Sequence, residues 1–269
     1  MLLLGGSLGL SGVAGGATLI TASEFFDPDF RATTGTGASG LLIEVNVSTT
    51  PVEQTLGGGN VSWTHSAAGR VAVGVNLGLV SAGVELSNFT ETTGDTLVFG
   101  REIQLDGAGT LLQNAVSTAL GTSVLSSWQS TATISNMTMS AGQTYALTVD
   151  VTRGSVLPVA LLNSSTIDVR NLSGVSVSGL LNVINLVNFG GSDTGTAVIE
   201  FTPTADLTGM EVSFAASAAL DGSLLSGTAG NENMLTFSGI EVSPIPEPST
   251  VGFLAGLPFL ALLRRKRKW

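Results

Sequence analysis

Apolar and polar residues alternate at every second position along much of this 269-residue chain. The clearest stretch is 143–151, where Tyr145, Leu147, Val149 and Val151 share one side. The same alternation marks five further segments: 41–47 (Ile43, Val45, Val47), 70–77 (Val71, Val73, Val75, Leu77), 196–202, 210–216 and 234–242. Successive side chains of a β-strand point to opposite faces of its sheet, so this pattern predicts half-buried strands with one wet face.

Clusters of Gly, Asn, Asp and Ser separate these segments, for example at 57–60, 190–193 and 221–223. Such residues form turns because they tolerate left-handed backbone or bond their own main chain. Their frequency predicts roughly ten to twelve short strands. The body is therefore predicted to be all-β, an antiparallel β-sandwich of jelly-roll-like type.

One segment departs from the period of two. Apolar residues at Leu112, Val116, Leu120, Val124 and Trp128 follow the spacing of a helix. Gly121 and the many Ser and Thr residues weaken that pattern. The sequence thus predicts either a short helix over 111–128, crossing one end of the sandwich, or a long irregular loop.

The last 26 residues, 244–269, read as three consecutive blocks. Pro246, Glu247 and Pro248 form an extended strip, since proline fixes φ and disfavours helix before it. An apolar run follows from Val251 to Leu263, and a basic end closes the chain. The apolar residues of the run that we assign to a membrane segment are Val251, Phe253, Leu254, Leu257, Phe259, Leu260, Leu262 and Leu263; the basic end is Arg264, Arg265, Lys266, Arg267 and Lys268.

The length of the apolar run limits how it can meet a membrane. Thirteen residues span roughly 20 Å as a helix, against about 30 Å for the hydrocarbon core of a bilayer. Pro258 also removes a backbone hydrogen bond inside the run. We therefore predict a transient inner-membrane association, with the basic end on the cytoplasmic side. The alternative is a C-terminal helix packed on the domain and ending in a solvated basic segment.

Order, spacing and terminal position make this ending resemble the PEP-CTERM sorting signal of bacterial surface proteins. The resemblance covers only the final tenth of the chain. It implies recognition by an exosortase-type membrane protease, which removes the tail near the Pro-Glu-Pro motif. It further implies delivery of the mature protein to the cell surface or the exopolysaccharide matrix.

The N-terminal 22 residues are apolar and rich in Gly and Ala, which is typical of a secretory signal peptide. A basic start is missing, so either the natural start lies upstream of Met1 or the signal is atypical. Cleavage is predicted after Ala22, with Ala17 as the alternative. A buried glycine-rich strand is the competing interpretation. The resulting organisation is a signal peptide over 1–22, a β-sandwich over 23–243 and a sorting tail over 244–269.

Charge excludes one class of partner. The body from 23 to 243 carries five arginines and no lysine against 19 acidic residues, a formal charge of about −14. Nucleic acids are bound through clustered Lys and Arg, so no nucleic-acid partner is expected. The chain also has no cysteine, which excludes disulfides, thiolate metal sites and a cysteine nucleophile.

Candidates for chemistry are few. His65 is the single histidine, and we predict it at the surface near a strand end rather than in a Ser-His-Asp triad. Trp63, with His65 and strand carboxylates, could line a groove in a polysaccharide-binding or glycosidase-like module. The strand carboxylates are Glu44, Asp150, Glu200 and Glu211; an aromatic platform would use Trp63, Trp128 and Tyr145, although Tyr145 is expected in the core.

No cofactor or catalytic residue is predicted. Calcium is the one ion that the sequence allows, because oxygen ligands in loops suit it. The loop-like acidic residues are Asp27, Asp29, Asp193 and Asp221. The prediction for the whole chain is a non-enzymatic, exported protein with a structural or adhesive role, with exopolysaccharide as a possible partner. A surface polysaccharide-binding or glycoside hydrolase-like module is the alternative.

Overall fold

The structure is a computed structural model that describes residues 18–26, 30–35, 42–45, 52–55, 60–79, 81–110, 113, 124–154, 162–177, 182–183, 194–220 and 229–246. Their named elements are one short helix, α1, and fourteen strands, and Gly109, Thr110 and Gln113 are also helical. The elements are α1 Ala22–Phe25, β1 Phe30–Thr33, β2 Leu42–Val45, β3 Val52–Thr55, β4 Val61–Ala68, β5 Arg70–Asn76, β6 Ser81–Thr93, β7 Thr96–Gly107, β8 Val124–Met139, β9 Tyr145–Arg153, β10 Leu162–Asn171, β11 Asn182–Val183, β12 Thr194–Phe201, β13 Leu207–Leu220 and β14 Gly230–Pro244.

The strands form two sheets. The larger has the order β12-β9-β14-β7-β6-β5-β2, with β1 beside β6, and the smaller has the order β11-β10-β13-β8-β4-β3. All of the strand pairs are antiparallel. From β7 to β10 and again from β12 to β14, each strand lies in the sheet opposite to that of the strand before it. The chain therefore crosses repeatedly between the two sheets, which pack face to face. The predicted antiparallel β-sandwich is confirmed.

The core is a layer of side chains between the two sheets. In β9, Tyr145, Leu147, Val149 and Val151 are all buried, as their alternation predicts. A chain of aromatic contacts crosses the layer from the smaller sheet to the larger and returns to the smaller sheet at Trp128. Its ring centroids are 6.1 Å apart for Trp63–Phe214, 5.1 Å for Phe214–Phe237, 5.2 Å for Phe237–Phe99 and 6.4 Å for Phe99–Trp128.

Both buried tryptophans also satisfy their indole N–H groups. Trp63 Nε1 donates to the carbonyl of Phe25 at 2.6 Å, and Trp128 Nε1 donates to the carbonyl of Gly100 at 2.9 Å. A buried donor without a partner costs free energy, so these bonds make the two rings compatible with a dry core. The first bond connects β4 of the smaller sheet to α1, and the second connects β8 of the smaller sheet to β7 of the larger sheet.

Residue 100 can only be glycine without a rearrangement. A Cβ atom there would lie 2.2 Å from Cζ of Phe89 on the neighbouring strand β6. The Phe89 ring covers the bare backbone of β7, and the guanidinium carbon of Arg31 lies 3.9 Å from the centre of that ring. Three residues from β1, β6 and β7 are thereby stacked on the outer side of the larger sheet.

Several predictions of local structure are wrong. Ile43 is 73% exposed because β2 is an edge strand, and Leu77 is 77% exposed because β5 ends at Asn76. The predicted helix over 111–128 also fails at its C-terminal end: β8 begins at Val124, where pairing with β4 and β13 overrides a weak helical pattern. Gly109, Thr110 and Gln113 are helical, whereas 111–112 and 114–123 lie outside the described residues.

Candidate functional surface

The sorting motif lies at the C-terminal limit of the described residues. Ile245 is fixed to the sandwich, because its N–H donates to the Thr144 carbonyl and its own carbonyl accepts from Gln143 Nε2, both at 2.8 Å. Pro246 follows and is exposed. The rest of the motif, Glu247 and Pro248, lies outside the described residues, as do the apolar residues from Val251 to Leu263 and the basic end from Arg264 to Lys268. Within the described ranges, no helix is both long and apolar enough to cross a membrane.

His65 is buried, which corrects the prediction of a surface histidine. Its residue exposure is 0%, because it shares the inner face of β4 with Val61, Trp63 and Ala67. The imidazole is stacked between Trp63 and Phe30, with ring centroids 5.5 Å and 5.6 Å away. Nδ1 lies 2.8 Å from Oγ of Ser130 on β8, while Nε2 has no hydrogen-bond partner among the described residues.

Burial sets the protonation state of this histidine. Desolvation lowers the pKa of His65 from 6.5 to about 4, so the ring is neutral at pH 7. The aromatic rings on both sides would favour a cation by about 0.5–2 kcal/mol, less than the several kcal/mol that burying an unpaired charge costs. Ser130 is itself fully buried. The Ser130–His65 pair is therefore enclosed in the core, where no substrate has access to it.

The other residues considered for carbohydrate chemistry are dispersed. Glu211 lies on the smaller sheet, whereas Asp150 and Glu200 lie on the larger one. Asp150 is paired with Thr196, four residues before Glu200 on β12, which corresponds to about 13 Å along the strand. Glycosidase carboxylates stand about 5–9.5 Å apart, so these positions do not form such a pair. The side chain of Glu44 lies outside the described residues.

An aromatic platform at the surface is not formed by the predicted residues. Trp63 and Trp128 are 0% and 1% exposed and belong to the core. Tyr145 is 5% exposed, which confirms its expected place in the core, and its hydroxyl accepts a hydrogen bond from the Ser140 N–H at 2.8 Å. The predicted groove lined by Trp63 and His65 is therefore wrong, because both rings point between the sheets.

The outer surface of the smaller sheet has a different character, which we call the hydroxyl face. Four strands, β4, β8, β13 and β10, contribute four cross-strand rows of outward residues. Serine or threonine fills ten of the sixteen positions. The rows are Ser62-Thr133-Glu211-Arg170, Thr64-Thr131-Ser213-Asp168, Ser66-Gln129-Ala215-Thr166 and Ala68-Ser127-Ser217-Ser164. Neighbours stand about 4.8 Å apart across strands and rows about 6.7 Å apart along them.

Two rows of this face form a shallow hollow. It encloses about 400 Å³ and is lined by small or neutral side chains, including Ser66, Ser127, Gln129, Ser164 and Ser217. Two hydroxyls at its edge, those of Ser164 and Ser217, are hydrogen-bonded at 2.8 Å. No charged residue lines it. A hydroxyl both donates and accepts hydrogen bonds, so the hollow suits neutral polar groups rather than ions.

Charge on the described part of the body is arranged in local pairs. Arg31 pairs with Glu91 and Glu102, Arg70 with Glu85, Arg101 with Glu232, and Arg170 with Asp168. The Arg70–Glu85 pair is buried, with Nε 2.8 Å from Oε1. Since Arg31, Arg70, Arg101 and Arg170 are engaged by carboxylates, these four do not form a basic patch that could bind phosphate.

Within the described ranges, no three or more His, Asp or Glu side chains lie together in a group that could bind calcium or another metal ion. The four aspartates considered for calcium, Asp27, Asp29, Asp193 and Asp221, lie outside these residues. The prediction about calcium therefore stays a prediction. The sequence predicts polar strand faces lined by Ser and Thr, but the rows of the hydroxyl face depend on strand register and come from the structure.

No family model matches the chain. A search of curated proteins likewise gives no match. Among solved structures, the chain is similar to the enzymatically active domain of tailspike protein 4 from bacteriophage CBA120, with 11% identity and a TM-score of 0.33 over 86% of this chain and 21% of that chain. The chain thus spans about a fifth of the length of the tailspike structure. It is also similar to a carbohydrate-binding module of the β-sandwich superfamily with promiscuous specificity, at 10% identity and a TM-score of 0.22 over 80% of this chain and 96% of that one. At TM-scores below 0.5, neither likeness carries an argument about what this chain does.

Proposed function

We propose that this chain is an exported, non-enzymatic β-sandwich with a structural or adhesive role at the cell surface or in the exopolysaccharide matrix. The observation that carries this proposal is the hydroxyl face, the outward side of β4, β8, β13 and β10. Apart from Ser213 and Asp168, which are each 4% exposed, it is an extended, mostly neutral array of donors and acceptors without a reactive group at its centre. A surface of this kind contacts other polar polymers through many weak hydrogen bonds.

Sorting through the C-terminal tail is the second part of the proposal. Pro246, Glu247 and Pro248 would be recognised by an exosortase-type protease while the apolar run rests transiently in the inner membrane. The position of the motif supports this role. The fold is fixed through Ile245 by its bonds to Thr144 and Gln143, so a cut beyond Pro246 leaves the sandwich complete.

A reporter fusion tests the sorting. Residues 240–269 are joined to a secreted reporter in a host that contains an exosortase, and the reporter is followed by fractionation and mass. We expect processing and surface display in the parent strain and membrane retention of the uncut fusion after deletion of the exosortase. Equal processing in both strains would overturn the sorting proposal. A matched fusion with Pro246→Ala and Pro248→Ala should behave like the deletion strain.

Polysaccharide binding is a second candidate function, favoured by the neutral hollow on the hydroxyl face. Ser127→Arg places a long charged side chain in the hollow. Thr152→Arg, on the exposed side of β9 in the other sheet, introduces the same change elsewhere. Binding to the host exopolysaccharide should fall at least tenfold for Ser127→Arg and stay unchanged for Thr152→Arg. Equal effects of both variants, or no binding by the parent protein, would count against this candidate.

A further inference from the structure

We propose that signal peptidase cuts this chain after Ala17, so that the mature protein begins at Thr18 and residues 18–22 are part of the folded domain. The proposal rests on the export argued above and specifies its processing site. The segment Thr18–Phe26 is called the N-terminal latch below. The sequence alone favoured a cut after Ala22, within the latch.

The first half of the latch is bonded to β14. Leu19 N–H donates to the Val242 carbonyl at 2.8 Å, and Val242 N–H donates to the Ile20 carbonyl at 3.2 Å. Ile20 and Val242 form an antiparallel bridge, and Ile20 is only 5% exposed within the core. Thr18 adds a hydrogen bond from its hydroxyl to Glu241 Oε1 at 2.7 Å. Residues that a cut after Ala22 would discard therefore extend the larger sheet.

The second half of the latch depends on the first. Glu24 Oε2 accepts hydrogen bonds from both the N–H and the hydroxyl of Thr21, each at 2.8 Å. These bonds fix the start of α1, which places Phe25 and Phe26 in the core with 0% exposure. Their rings lie 6.4 Å and 5.6 Å from the Trp63 ring. Loss of Thr21 would remove the contact that orients this aromatic group.

The residues that signal peptidase recognises also favour a cut after Ala17 over a cut after Ala22. Signal peptidase requires small residues at the last and third-last positions before the cut. A cut after Ala17 places Ala17 and Gly15 at these positions, whereas a cut after Ala22 places Ala22 and the branched Ile20 there. The site after Ala17 is therefore the better substrate as well as the one that spares the latch.

Hydrolysis after Ala17 also leaves a favourable new end. Water adds across the Ala17–Thr18 peptide bond, giving a carboxylate on Ala17 and an α-ammonium on Thr18. The side chain of Thr18 already contacts the Glu241 carboxylate, so the new positive charge forms beside a negative one.

The test uses the full chain expressed in an exporting host and the protein recovered from its surface fraction. N-terminal sequencing should give Thr18. Two variants of the latch provide the second readout: Ile20→Gln changes a buried side chain, and Leu19→Gln changes its neighbour, which is 36% exposed. Ile20→Gln should lower the melting temperature of the mature protein by roughly 5–10 °C, and Leu19→Gln by much less.

The outcomes separate this proposal from the export that it rests on. A mature N-terminus at Ser23, with both variants identical to the parent in mass and melting temperature, would overturn the site after Ala17 and leave export intact. A surface protein that retains residues 1–17 would overturn the cleavage after Ala17 and leave export intact, whereas a chain that stays inside the cell would overturn the export proposal and this site with it. Thr18 as the first residue together with an unchanged melting temperature for Ile20→Gln would refute the structural role of the latch.

Discussion

The free energy of unfolding should fall in acid because of His65, and a single substitution at this position should remove that part of the pH dependence. In the folded protein the ring is fully buried and its pKa is lowered to about 4 by desolvation, against 6.5 in the unfolded chain. Between these values the unfolded chain binds one more proton than the folded protein, so the free energy of unfolding falls as the pH falls. The contribution is fully present above pH 6.5 and is lost by about pH 4.

The magnitude follows from the size of the pKa change. A pKa difference of about 2.5 between the two states corresponds to about 3 kcal/mol at 1.36 kcal/mol for each pH unit. Domains of this kind have a total free energy of unfolding of about 5–15 kcal/mol, so this single ring controls a substantial part of it. Below pH 4 both states carry the proton, and His65 adds no further slope.

His65→Phe is the test, because phenylalanine keeps a ring between Trp63 and Phe30 but cannot bind a proton. Losing the contact with Ser130 lowers the free energy of unfolding by the same amount at every pH. Denaturant unfolding of the parent and the variant is measured at intervals from pH 7 to pH 4, and the difference between their free energies of unfolding is plotted. Carboxylates titrate in both proteins and cancel from that difference.

The difference should move by about 3 kcal/mol in favour of His65→Phe between pH 7 and pH 4. The double variant His65→Phe/Gln129→His returns a histidine to an exposed position of β8 and should not restore the slope. Parallel curves for the parent and His65→Phe would refute the argument that burial keeps His65 neutral.

Three further single variants and one double variant test the packing. Gly100→Ala should lower the free energy of unfolding by about 1–3 kcal/mol in denaturant titrations, since its Cβ would lie 2.2 Å from the Phe89 ring; an unchanged midpoint would contradict the close stacking. Phe25→Ala should cost about 3–5 kcal/mol by the same measurement, because Phe25 is fully buried against Trp63, and a loss below 1 kcal/mol would mean that the latch does not pack as described. Arg70→Met should cost about 3–5 kcal/mol by leaving the carboxylate of Glu85 buried without the guanidinium of Arg70, and adding Glu85→Leu should recover most of it; a double variant as unstable as the single one would show that charge burial is not the cause.

Much of the fold was accessible from the period of two alone. Tyr145, Leu147, Val149 and Val151 alternate with polar residues and all four are buried in β9. The same signal was present in β4, where Val61, Trp63, His65 and Ala67 alternate with Ser and Thr, and it places His65 in the core. Because histidine is polar, its residue type alone suggests exposure to solvent. The position of His65 in the alternating pattern of β4 was the better predictor of its burial.

The alternation of apolar and polar residues is weaker in strands that are covered on both faces. Every residue of β6 from Gly83 to Thr90 is buried, so its two faces do not show the usual contrast between an apolar inner side and a polar outer side. The hairpin between β6 and β7 turns at Gly94 and Asp95, two residue types that favour tight turns. Gly94 has a φ of 52°, the left-handed conformation that such a turn requires.

The candidate surface could not be derived from the sequence, because it depends on register between strands distant in the chain. Ser127 meets Ala68 on one side and Ser217 on the other, and nothing local to β8 specifies these neighbours. Small polar residues were visible in each strand, but their assembly into rows is a tertiary property. The same holds for the latch, since the pairing of Ile20 with Val242 joins the two ends of the described chain.

The most direct test of the proposed function is the intact mass of the protein in the surface fraction, compared between a parent host and a strain without the exosortase. We expect the parent to display a chain that starts at Thr18 and has lost the apolar run and the basic end, with its last residue close to Pro246. The deletion strain should hold a heavier form, with the tail still attached, in its membrane fraction. A full-length tail on protein from the parent surface, or the same mass in both strains, would contradict sorting through the tail.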